Sequence, residues 1–163
     1  MSWIKKLLSR LHEKIVREKA PPEYIARGWA IGVFMGFSIP FGLQLFVSIP
    51  VSFVLKGSKV GATLGTFVTN HLTIFVIYPV QCWVGNRLLG GDLSYDAVNY
   101  ALREVVAEKS FESVISLGGN LFEAFFAGGI LFAAVSTPLT YWFVLRAVKR
   151  YRALTAAQAA RKA

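Results

Sequence analysis

Between Trp29 and Leu55 the chain carries no charged side chain. Between Val60 and Asn86 its only ionisable groups are His71, Tyr78 and Cys82, and between Ala124 and Leu145 charge is absent again. Each run exceeds the roughly 20 residues that take a helix across about 30 Å of hydrocarbon. One such run could be the buried core helix of a soluble protein. Three of them in 163 residues, at 55% hydrophobic composition and a mean hydropathy of +0.50, exceed what one small aqueous core uses. The expectation is an all-α fold: a polytopic membrane helical bundle with hydrophobic segments at about 28–55, 60–86 and 114–145, a polar loop over 86–112, and a polar, alanine-rich tail over 151–163 that frays.

Ahead of the first run, Trp3, Ile4, Leu7, Leu8, Leu11 and Ile15 fall on one helical stripe, with Lys5, Lys6, Arg10 and Lys14 largely opposite. Residues 1–20 therefore read as an amphipathic basic helix. It would lie on an anionic leaflet with Trp3, Lys5, Lys6, Arg10 and Lys14 at the membrane surface, or pack on a partner helix. These residues are charged throughout, unlike a secretory signal peptide. Pro21 bars continuation of that helix, and Pro22 can open the next one at its first turn.

A net charge of +9 is compatible with nucleic acid, but the basic residues bracket the apolar runs instead of forming one patch, and no nucleic-acid motif accompanies them. Such bracketing suits positive segments that stay cytoplasmic. Three simple crossings would put the two basic ends on opposite sides, so one segment is expected not to cross. The first segment is the candidate because Pro40 and Gly42 interrupt it. Residues 29–39 would reach only about 16 Å as a helix and residues 43–55 about 20 Å. It is either one kinked span or a re-entrant pair of half-helices; the re-entrant form keeps both termini cytoplasmic. A faint internal echo links 47–53, VSIPVSF, with 135–141, VSTPLTY.

Gly28, Gly32 and Gly36 recur every four residues and mark a face for close helix packing. Gln44, Ser48 and Ser52 form a polar stripe after the Pro40 break, and Thr69, Asn70, His71 and Thr73 cluster within the second run. Polar groups in hydrocarbon need partners, so the two sets are expected to meet. They would form either a headgroup or ion site built from Gln44, Ser48, Asn70, His71 and Thr73, or interhelical glue. No catalytic or metal-ligand constellation is found in the sequence, and neither an enzyme nor a cofactor is expected. Ser94 could cap a short helix with Val98, Leu102 and Val105 on its apolar face.

The stretches Ile25-Ala26-Arg27-Gly28-Trp29-Ala30-Ile31-Gly32-Val33-Phe34-Met35-Gly36, Pro40 with Gln44, and Gly65-Thr66-Phe67-Val68-Thr69-Asn70-His71-Leu72-Thr73 resemble the DUF2062 family of small prokaryotic membrane proteins. The family usually has Asn-Pro-Leu-Thr where this chain has Asn70-His71-Leu72-Thr73, so the break that the family pattern implies for the second segment is left open. The resemblance implies a bacterial or archaeal cytoplasmic (inner) membrane protein, with a possible envelope-biogenesis partner and no settled activity. Function is expected to be transport or lipid-headgroup translocation, with a non-catalytic scaffold as the alternative. A lipid bilayer, anionic lipids and further copies of the chain, as a homo-oligomer, are the expected partners.

Overall fold

A computed structural model describes residues 20–108 and 118–162; the basic helix expected over 1–20, with its surface residues, lies almost wholly outside the described residues. Every regular element among the described residues is helical: α1 Pro22–Ser38, α2 Gln44–Val54, α3 Lys59–Thr66, α4 Ile74–Leu88, α5 Tyr95–Glu108 and α6 Gly118–Lys162. Pro22 stands in the first turn of α1, where its missing N–H has no intrahelical partner to lose. Ser58 caps α3 by accepting from Gly61 N at 3.0 Å. Ser94 does the same for α5 through Ala97 N at 3.2 Å and leaves Val98 fully buried.

Among the described residues one helix, Leu121–Gln158, is long and apolar enough to cross a membrane, and a third of its most apolar window is buried. The other two apolar runs do not form full-length spans. Each is divided into two helices, of 17 and 11 residues in the first and 8 and 15 in the second. Pro138 does not interrupt α6. The tail also departs from expectation, being helical through Lys162. Alanine is the strongest helix former and dominates that stretch, and Arg152 ties the helix to the start of α1 through Ala20 O at 2.6 Å.

Helix α6 runs opposite to both α1 and α4. Along α1, Ala20 meets Arg152, Glu23 pairs with Lys149 at 2.7 Å, and Phe37 stacks on Phe132 at 5.9 Å. Along α4, a Cβ added at Gly85 would stand 2.7 Å from Gly128 N and one at Gly128 2.8 Å from Gln81 C, so these backbones touch. Helix α2 folds back beside α1. The Arg27 guanidinium near the start of α1 donates to Leu55 O at 3.0 Å and Lys56 O at 3.3 Å at the end of α2. Arg27, Lys56, Lys149 and Arg152 thereby gather at one end of the molecule.

A candidate polar site at two crossed helix breaks

The first break follows from proline and glycine chemistry. Helix α1 closes with Ile39 N on Met35 O at 2.9 Å. Pro40 supplies no donor, and Gly42 takes φ +98°, a conformation that L side chains rarely adopt. Thirty residues later the second run breaks without a proline. Asn70 Oδ1 accepts from Leu72 N at 2.9 Å and Thr73 N at 3.2 Å, while Asn70 N donates to Thr73 Oγ1 at 2.8 Å. A side chain that satisfies free backbone donors can begin a new helix as surely as a proline can end the old one. The structure thus divides the second segment even though His71 stands where the family usually has proline.

The two breaks belong to one repeating arrangement. A Cβ at Gly28 would stand 2.7 Å from Ser58 N, one at Gly32 2.7 Å from Gly65 Cα beside Ala62, and one at Gly36 2.8 Å from Val68 Cγ1 beside Thr66. The glycine face Gly28, Gly32 and Gly36 of α1 therefore meets Ser58, Ala62 and Thr66, each thirty residues on. At the top of the series the Phe41 and His71 rings meet edge-on at 4.9 Å. The two helices run parallel, and the breaks that follow them sit side by side.

Each break is closed by the other repeat. The last carbonyls of a helix have no intrahelical donor. Gln44, which opens α2, donates Nε2 to Thr66 O at 3.1 Å and Thr69 O at 3.3 Å, capping α3. Gln81 of α4 reciprocates by donating to Phe37 O of α1 at 3.1 Å, and it also reaches Phe125 O of α6 at 3.0 Å. Thr69 Oγ1 lies 2.9 Å from both Gly36 O and Gln44 Oε1, and Tyr78 Oη accepts from Phe41 N at 2.7 Å.

The candidate residues separate accordingly. Gln44 is buried and bonded to Thr66 and Thr69; among the described residues no hydrogen bond joins it to Asn70. Asn70 and Thr73 bond locally within their own break, and His71 is exposed with its ring on Phe41. Ser48 is fully buried, yet its Oγ has no hydrogen-bond partner, and the same holds for Ser38 Oγ and Gln81 Oε1. Thr66, Gln81 and Ser38 were not singled out from the sequence. The signal for Gln81 was available: it is a lone amide in an otherwise apolar stretch, and such a group needs a partner.

Helix α2 is turned inside out relative to a helix on a water-soluble protein. Its polar residues Gln44, Ser48 and Ser52 are buried, while Phe46 is 78% exposed, Phe53 60% and Val54 80%.

A protein-family model described as an uncharacterized protein conserved in bacteria, DUF2062, matches residues 5–156. No match was found among curated proteins or among solved structures.

Proposed function

Because the chain belongs to the DUF2062 family, described only as uncharacterized and conserved in bacteria, we propose its role from its own geometry: it is a small membrane translocase for the polar headgroup of a lipid, with α2 as a hinged cover. The observation that carries this reading is the inverted face of α2. Exposed phenylalanines with buried serines and glutamine are costly in water and favourable in hydrocarbon. On this reading α6 crosses the bilayer of the cytoplasmic membrane. Helices α1 and α2 form a re-entrant hairpin entering from the side that carries Arg27, Lys56, Lys149 and Arg152, which the positive-inside bias makes cytoplasmic.

The cover is hinged at both ends. Gly42 at φ +98° precedes α2, and Lys56 at φ 50° with Gly57 follows it. The strip beneath it holds Ser52, Ser48 and Gln44, spaced to face one way from the cytoplasmic end to the breaks. When α2 lifts, Gln44 exchanges the Thr66 and Thr69 carbonyls for a headgroup, while Ser48 Oγ has no bond to lose and one to gain. The work is movement, without a covalent step. Reconstituted vesicles containing a fluorescent phospholipid test this: the protein should expose inner-leaflet probe to an external quencher, and Ser48→Ala should slow that exposure. Equal rates in empty and protein-bearing vesicles would sink it.

A second reading, a non-catalytic scaffold docking partners through residues 1–20, is favoured by one observation. Both nitrogen-side bonds of Gln44 are already made within the protein. It expects deletion of residues 1–20 to abolish the cellular role while Gln44→Ala and Asn70→Ala leave it intact.

A further inference from the structure

Helix α2 ends in a cluster of cations whose charges the proposed cover motion does not use. Arg27 is held in place by one nitrogen: Nη1 donates to Leu55 O and Lys56 O, and its remaining N–H donors have no hydrogen-bond partner among the described residues. A guanidinium fixed at one edge presents the other as a planar fork, the geometry that matches phosphate. Lys56 takes up the left-handed turn that ends α2, and its side chain is exposed. Lys59 folds its ammonium to 3.4 Å over the ring of Phe53, one turn back on the exposed apolar face of α2. Backbone contact brings the three together, because Gly57 and Ser58 of the same turn pack against Gly28, next to Arg27.

Among the described residues no carboxylate pairs with this group. Glu23 is held by Lys149 at 2.7 Å, and Asp92 pairs with Arg87 beyond the end of α4. A second cation lies over an exposed ring on α6, Arg146 at 4.2 Å from the centre of Trp142, three residues from the Lys149 that meets Glu23. Cations resting on exposed aromatic rings at the end of apolar helices mark the level where hydrocarbon gives way to headgroups.

We infer that Arg27, Lys56 and Lys59 form a binding site for the phosphate of an anionic phospholipid in the cytoplasmic leaflet, with one acyl chain lying along Phe53, Ile49 and Phe46 of α2. The apolar face running straight into the cation cluster selects a lipid over free phosphate, since a soluble anion has no use for it. Lipid bound here would sit at the foot of the Ser52–Ser48–Gln44 strip. The inference rests on the membrane reading of α2 and holds whether or not lipid is then translocated.

Binding by the full chain, purified in a neutral detergent, tests it without measuring transport. Phosphatidylglycerol should raise the unfolding temperature and stay bound through native mass spectrometry, and phosphatidylcholine should do neither. Lys56→Gln and Lys59→Gln should each weaken phosphatidylglycerol binding by roughly five-fold, the worth of one basic residue at an anionic surface. Arg27→Lys, which keeps a donor for the carbonyls and loses the fork, should weaken it further. A tail variant that also loses two charges, Arg161→Gln with Lys162→Gln, should bind as the parent does. Equal losses in the tail variant, equal stabilisation by phosphatidylcholine, or the same shift from inorganic phosphate alone would each overturn the assignment.

Discussion

Ser48 and Ser52 lie one turn apart on the same buried face of α2, and both are fully buried, yet replacing them with alanine should move stability in opposite directions. Ser52 Oγ donates to Ile49 O at 2.7 Å, whereas Ser48 Oγ has no partner. A hydroxyl buried without a hydrogen bond costs about 1–3 kcal/mol, and a typical made bond contributes about 1 kcal/mol. Removing the Ser48 oxygen relieves that cost and leaves a gap worth a few tenths of a kcal/mol on the scale of roughly 24 cal/mol per Å³ of cavity. Ser48→Ala should therefore stabilise the closed protein by about 1 kcal/mol, a rise of roughly 2–4 °C in Tm for a chain of this size. Ser52→Ala should lower Tm by a similar amount. Thermal unfolding in detergent, followed by tryptophan fluorescence, reads both. Should Ser48→Ala fall alongside Ser52→Ala, the Ser48 hydroxyl is bonded in the closed state, and the case for an unfilled polar position under α2 fails with it. A stabilised Ser48→Ala protein that still moved lipid at the parent rate would spare the packing argument and refute the translocation one.

Gly32→Ala places a Cβ 2.7 Å from the Gly65 Cα, where only backbone can give way, and should cost about 1–3 kcal/mol in the same unfolding assay. Gly42→Ala meets nothing within 4 Å, so its cost is purely conformational, about 1–2 kcal/mol for the strained φ. Asn70→Ala removes the acceptor of two backbone donors and should cost about 1–2 kcal/mol. His71→Pro should leave the helical circular dichroism intact and cost no more than the Phe41 ring contact, about 1 kcal/mol. The Lys149 ammonium hydrogen-bonded to Glu23 holds that carboxyl below its ordinary 4.5. Its contribution is complete above that value and is lost as pH falls through the lowered one. Lys149→Gln should accordingly flatten this part of the acid limb in a Tm-against-pH profile.

Charge absence and proline placement made the apolar runs and the first break legible, because both act within a few residues of chain. The Gly28-Gly32-Gly36 face was legible as a packing face for the same reason, although its partner was not. The second break was open because Asn70 does by side-chain hydrogen bonding what proline does by geometry, and a residue name does not reveal which bonds it makes. The repeat itself was hidden. Between residues 28–44 and 58–74 only Phe37 and Phe67 coincide, so what the halves share is small residues at matching heights, not identities. The echo between 47–53 and 135–141 drew attention to prolines that sit within α2 and α6 and break neither helix. The polar stripe and the polar cluster do meet, with Gln44 Oε1 2.9 Å from Thr69 Oγ1, but Gln44 does not reach Asn70. It finds the α3 carbonyls instead, since the free acceptors of a helix end outrank an amide already engaged in its own turn.

The two glutamines cap in the same way but hold unequal loads, and this decides which half of the repeat can move. Gln81 bridges α1 and α6, and the backbones of Gly128 and Gly129 pack directly on it, so displacing α4 would break two helix contacts at once. Gln44 holds α3 alone, from a helix whose outer face is largely exposed and is met only by the Lys59 side chain over Phe53 among the described contacts of that face. Ser52 and Cys82 test the difference at matched positions, thirty residues apart and both fully buried. In a Cys82→Ser background, Ser52→Cys should react with N-ethylmaleimide under native conditions, while native Cys82 should react only after unfolding. Labelling of Cys82 at an equal or greater rate would place the mobile element in α4, and α2 could then no longer serve as the cover.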